Sequence, residues 1–193
     1  MIQECLEKMD ARAIRSRQAI IQTSLILFIQ NEDSTLVDVA KASNVGRATV
    51  YRQFKSKEEL QECIGLYCLD RFDDINKHIE KQARDSLDAI RLVLQNTLLL
   101  YSEFTFLSKF ENFLKNSPNL QSRMEAQNDE LRDLLTLTLK QGFISNKYSV
   151  EWVFCFFEGL LWAGYQAVRS GFFDSEQASA LAFNAFKHGV SDK

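Results

Sequence analysis

Apolar side chains recur along this chain at three- and four-residue intervals, and no sustained alternation interrupts them. That spacing gathers them on one side of a helix, whereas a half-buried strand would need a period of two. A first helix is expected over 11–30, with Ile20, Ser24, Leu27 and Phe28 as its inner face and Ile21 and Leu25 widening it. Short helices follow over 36–42, where Leu36, Val39 and Ala40 share a side, and over 47–53, where Val50 points inward with Phe54. A longer one over 57–78 carries Leu60, Ile64, Tyr67, Cys68, Phe72 and Ile75. Beyond it the pattern predicts helices at 86–104, 105–115, 118–141, 150–170 and 175–189. Ser56 followed by Glu59 is a capping box, and Pro118 suits a first helical position. One Pro and seven Gly in 193 residues, with 46% hydrophobic residues, agree with long uninterrupted helices. The expected fold class is all-α.

The segment 36–60, LVDVAKASNVGRATVYRQFKSKEEL, organises the rest. Ser34 or Thr35 can cap its first helix. Asn44 falls where the chain must turn sharply, and Asn tolerates the left-handed conformation best after Gly. Val45 drops between the two helices, and Gly46 is an acceptable though weak N-cap. With Val50 and Phe54 inside, the second helix presents Arg47, Ala48, Thr49, Tyr51 and Arg52 outward. Short, hydroxylic, aromatic and cationic groups of this kind suit base edges and phosphates. The pattern is a helix-turn-helix with 47–53 as the recognition helix. Lys57, at the start of the following helix, adds a cation where free backbone amides could meet a phosphate.

Charge supports this reading. Between Ala11 and Lys57 stand eight basic and three acidic residues, +5 on a chain whose total is −3, so the remainder carries −8. A basic patch on an acidic body is the electrostatic footprint of a nucleic-acid module. Arg12, Arg15 and Arg17 cluster at the N-terminus of the first helix, where the helix dipole disfavours cations, which points to an external anionic partner.

The run Val39-Ala40-x-x-Ser43-Asn44-Val45-Gly46-x-x-Thr49-x-Tyr51-x-x-Phe54-x-x-Lys57-x-x-Leu60 resembles the DNA-binding segment of TetR-type transcriptional regulators. The closing Tyr-x-x-Phe-x-x-Lys-x-x-Leu is its most discriminating part and is intact. Ser43 stands where Ala is common, Asn44 where Gly is common, and Gly46 where Ser or Thr usually caps the recognition helix. The loop at Asn31-Glu32-Asp33 is about two residues shorter than such proteins usually show. The resemblance is specific over about residues 12–62 and architectural beyond. It implies a DNA-binding domain over 1–60 and a helical ligand-binding and dimerisation domain over 61–193, joined by a shared helix that would transmit a signal. It also implies that the Arg12–Arg17 helix approaches the DNA backbone. Thr35 and Gly46, at the caps of two helices, complete the residues expected at double-stranded DNA.

In the body, 150–170 is apolar nearly all round: Val153, Phe154, Phe157, Leu161, Gly164, Tyr165 and Val168 on one side, Trp152, Cys155, Phe156, Gly159, Trp162 and Ala163 on the other. Such a helix must be covered on both sides. Ala178, Ala182, Ala185 and Gly189 form a row that permits close approach. In proteins of the resembled family the last two helices make the dimer bundle, so a homodimer through them is expected, which suits a reader of two palindromic half-sites. Regulators of that kind enclose an inducer within the body. An apolar small-molecule ligand is therefore expected near Phe104, Phe110, Phe113, Trp152, Phe156, Glu158 and Trp162, with Glu158 as a buried carboxylate in need of a partner.

Other classes have less support. Cys5, Cys63, Cys68 and Cys155 show no C-x-x-C pairing and only His78 and His188 are present, so neither a metal nor a cofactor is expected, and buried reduced thiols are the simplest reading. No phosphate loop, H-E-x-x-H or G-x-S-x-G motif suggests an enzyme. No apolar run is long enough for a membrane span, and MIQECLEKMD lacks the apolar core of a signal peptide, so a cytoplasmic protein is expected. The alternative is a helix-turn-helix-fold protein-interaction module, or a regulator controlled by a partner protein, which the outward Arg47, Thr49, Tyr51, Arg52 and Lys57 disfavour.

Overall fold

The computed structural model describes residues 11–191, with side chains from residue 13 onward. The helices are α1 (Ala11–Gln30), α2 (Leu36–Ala42), α3 (Arg47–Gln53), α4 (Lys57–Asn76), α5 (Ile79–Gln82), α6 (Ser86–Leu99), α7 (Tyr101–Lys109), α8 (Glu111–Leu114), α9 (Pro118–Lys140), α10 (Val150–Arg169) and α11 (Ser175–Val190). The chain is all-α, and among the described residues no helix is long and apolar enough to cross a membrane.

Two compact units are formed. One runs through Cys68 and includes Thr105–Leu120; the other takes Leu69–Phe104 and the chain from Gln121 onward. The sequence places a boundary at residue 60; the first unit runs on along α4 to Cys68 and takes in a second segment that begins at Thr105.

In the N-terminal unit the expected inner faces converge: Ile20, Leu25 and Phe28 of α1, Leu36, Val39 and Ala40 of α2, Val50, Phe54, and Leu60 and Ile64 of α4 are buried. Phe106, Phe110 and Leu114 complete this core, with Phe110 edge-on to Phe28 at 6.3 Å and tilted against Phe106 at 4.6 Å. Gly65 makes that docking possible. A Cβ there would lie 2.9 Å from a Leu120 methyl and 3.1 Å from one of Leu114. Lys109 fixes the same segment to the end of α1, donating to the Ile29 carbonyl at 2.7 Å and pairing with Glu32 at 3.1 Å.

In the C-terminal unit α11 packs against both α6 and α10. Ile90, Leu94, Leu135, Ile144, Val153, Phe154, Phe157, Ala182, Phe186 and Val190 form its core. Leu98 seats on Gly164, where a Cβ would come within 2.6 Å of a leucine methyl. Gly164 and Ala182 thus face their own unit. The surface left open on α10 and α11 carries Trp152, Cys155, Gly159, Trp162, Ala163, Leu181 and Ala185.

The predicted 86–104 helix ends at Leu100, whose ψ of 48° leaves the helical region, and the next helix begins at Tyr101 rather than 105. Neither Gly nor Pro marks that break; Leu100 is turned into the core instead. The predicted 57–78 helix stops at Asn76. Asp85 caps α6 by accepting from the Asp88 amide at 2.8 Å. Asp88 is itself buried and bound by Arg84 at 3.2 Å and Arg91 at 2.7 Å, so its carboxyl is held well below the usual range, chiefly by the Arg84 hydrogen bond.

Candidate nucleic-acid interface

The site is built from α2, the turn and α3. Thr35 caps α2 in a full capping box: its hydroxyl accepts from the Asp38 amide at 3.3 Å, and its own amide donates to Asp38 Oδ2 at 3.0 Å. The hydroxyl also donates to that oxygen, and this bond does most to hold the Asp38 carboxyl below its ordinary value. Asn44 adopts φ 53°, the left-handed turn expected of it, and Val45 N–H reaches back to the Ala40 carbonyl. Gly46 caps α3 with backbone alone. Its φ is −58°, and no atom lies within 4 Å of where a Cβ would stand, so the position would accept the hydroxyl residue usual in such segments.

Val50 and Phe54 hold α3 to the core, so its opposite face is fixed outward. Arg47, Ala48, Tyr51 and Arg52 are exposed and Thr49 is half-buried. An open depression of about 420 Å³ runs between the start of α1 and this helix, edged by Ser16, Asn44, Gly46, Thr49, Arg52 and Gln53. Ser16 is the contributor that the sequence pattern did not single out. Its position on the α1 face toward α3 becomes visible only once the two helices are packed. Among the described residues no group of three or more His, Cys, Asp or Glu side chains is gathered to hold a metal.

The cations expected at DNA separate into two sets. Arg15 is exposed, and the Arg12 side chain lies outside the described residues, as does Cys5. Arg17 is turned inward, donating to the Gln53 carbonyl at 3.2 Å and approaching Cys63 Sγ at 3.1 Å, with its guanidinium 4.4 Å from the Phe54 ring centre. This corrects its grouping with the solvent-facing arginines. Lys57 donates to the Glu32 carbonyl and lies over the Phe28 ring, so it too is tied to the protein.

Of the seven residues expected around a ligand, five belong to the C-terminal unit, where they do not form a single group. Phe110 and Phe113 belong to the N-terminal unit. Phe156 stacks on Phe186 at 6.3 Å. Trp152 is 61% exposed, and Glu158 is exposed rather than buried, because its side of α10 is the uncovered one. Cys155 is exposed for the same reason. Phe104 and Trp162 do share a partner. Tyr165 lies 5.3 Å from Phe104, 5.1 Å from Trp162 and 5.2 Å from Tyr101, the last two stacked. Sequence reasoning missed Tyr101 and Tyr165 as a pair, because helical periodicity within each element says nothing about which faces meet. Glu103 joins Asp88 as a buried carboxylate of this unit, and lies 3.5 Å from Arg71.

A short exposed helix carrying Arg47, Tyr51 and Arg52, held by a left-handed turn against a capped partner helix, defines a helix-turn-helix DNA-binding regulator with a separate helical body. Comparison with known proteins specifies the class. Residues 20–62 match the family model for bacterial regulatory proteins of the tetR family. The repressor LfrR of Mycolicibacterium smegmatis is 22% identical over 157 residues, 81% of either chain. The probable acrEF/envCD operon repressor of Escherichia coli K12 is 23% identical, with 97% of this chain and 92% of the relative covered. LfrR in complex with proflavine has the same fold, with a TM-score of 0.76 over 95% of this chain and 100% of the other at 21% identity. So does a transcriptional regulator from Saccharomonospora viridis in complex with choline, at 0.77 over 93% and 99% and 13% identity. Residues 20–62 thus carry the DNA-binding segment of the tetR family, and the chain as a whole shares the fold of TetR-like transcriptional regulators.

Proposed function

We propose that the protein is a homodimeric repressor that reads a palindromic operator with α3 and is released when a small molecule binds its C-terminal unit. The observation that carries the DNA half of this reading is the outward Arg47–Tyr51–Arg52 face on a helix pinned by Val50 and Phe54. The dimer is supported by the open apolar strip on α10 and α11: Trp152, Trp162 and Leu181 are large and about half exposed or more. Apolar area of that size on one side of two adjacent helices marks an interaction surface. For the ligand, the aromatic group of Tyr101, Phe104, Trp162 and Tyr165 offers ring faces, and two similar structures hold the cations proflavine and choline. Ring faces attract cations as well as apolar groups.

Selection of duplexes from a random-sequence pool tests the DNA half: an inverted repeat is expected, and retention without any preferred sequence would contradict it. Sedimentation of Leu181→Glu tests the dimer. The variant is expected as a folded monomer with weakened duplex binding, and an intact dimer would place the interface elsewhere. A ligand found by raising the melting temperature should alter Trp162 emission and weaken the selected duplex by the factor that the duplex weakens the ligand.

A further inference from the structure

We propose that Arg17 is a positioning residue for the recognition helix rather than a phosphate contact; this rests on α3 being the DNA reader. The helix has seven residues, too few to be stable or oriented by itself. Its pose therefore depends on what grips its ends. At the N-terminal end Gly46 supplies no side-chain bond. At the other end Gln53 closes the helix, and its carbonyl is among those left without an intrahelical partner. Arg17 of α1 supplies that partner at 3.2 Å.

The same guanidinium lies 4.4 Å from the ring centre of Phe54, the next residue, and reaches Cys63 on α4 at 3.1 Å. One planar group thus joins the end of α3 to both long helices of the unit. The side-chain amide atoms of Gln53 are buried with no hydrogen-bond partner, and the residue's carbonyl is tied to α1 by Arg17. A cation here also faces the negative end of the helix dipole. Lysine would keep the charge but bring neither the fork nor the plane.

The test uses the full chain, the duplex the wild type enriches from a random pool, and a scrambled duplex of equal length. Affinities of wild type, Arg17→Ala and Arg17→Lys are measured at several salt concentrations, with melting temperatures alongside. Both variants are expected to lose about tenfold or more on the selected duplex, with the scrambled-duplex affinity and the salt slope unchanged. A phosphate contact would behave otherwise: Arg17→Ala would weaken both duplexes together and lower the slope by about one, and Arg17→Lys would restore it. That outcome, or wild-type binding by both variants, overturns the proposal. Should Arg17→Ala fail to fold, Arg17→Lys alone separates the two roles, since it conserves charge. If the wild type itself enriches no duplex, the DNA-reading role of α3 falls and this proposal with it.

Discussion

In the N-terminal unit cations bound to backbone carbonyls supplement the apolar core, whereas the C-terminal unit combines its apolar core with side-chain ion pairs such as Arg71–Glu103 and Arg123–Asp73. Arg17 reaches Gln53, Lys57 reaches Glu32 and Lys109 reaches Ile29, each at or near the end of a helix. Leu98 seats on Gly164, and Phe186 lies between Phe156 and Phe157. Gln53 closes the seven-residue α3, and Ile29 and Glu32 lie at or just past the end of α1; helix ends leave carbonyls open, which cations can cover. In the C-terminal unit helices of 14 to 23 residues present continuous apolar faces to one another. The consequence for function is that the DNA-facing charge is smaller than a count of Lys and Arg suggests, because part of it holds the reader together.

The largest effect is expected in the C-terminal unit. Phe186 is fully buried, so Phe186→Ala should cost about 3–5 kcal/mol, read as a lower urea midpoint. A loss below about 1 kcal/mol would mean that apolar packing is not what holds this unit. Asp88 is one of the buried polar groups there, and Asp88→Asn should cost about 1–3 kcal/mol at neutral pH. Because its folded-state carboxyl titrates below the usual value, its stabilisation is complete above the ordinary range near about 4 and is lost as pH falls below it. The gap between wild type and Asp88→Asn should therefore narrow in acid; a gap independent of pH would show that the ion pairs contribute nothing. In the N-terminal unit Gln53→Met replaces a buried amide that has no partner and keeps the backbone tie to Arg17, so a gain of about 1 kcal/mol is expected. Destabilisation would mean the amide is satisfied after all. Gly46→Ser should give the smallest effect, a few tenths of a kcal/mol from a side-chain cap, with slightly tighter duplex binding. Weaker binding would show that the bare backbone is what the DNA requires.

The local features were legible in the residues. Thr35 with Asp38, the left-handed Asn44 and the inward Val50 and Phe54 are each fixed by contacts within a few positions, which periodicity and capping chemistry describe. What escaped depends on distant partners. Arg17 reads as one cation of a cluster until Gln53 and Cys63 are folded against it. Glu158 reads as buried because its neighbours are apolar, yet its side of α10 is left uncovered by its own chain. The break at Leu100 carries no Gly or Pro, and the meeting of Tyr101 with Tyr165 joins helices 64 positions apart. The residues 105–120 belong with the N-terminal unit for a reason no local pattern records, the space left by Gly65.

Parallel selection shows whether the outward face of α3 reads base sequence. Wild type and Arg47→Ala are each used to enrich duplexes from the same random pool. An inverted repeat is expected from the wild type and the same repeat from the variant, with preference relaxed at one symmetric position per half-site and affinity lower by about 1–3 kcal/mol. Identical motifs and affinities from both proteins would contradict base reading by this face.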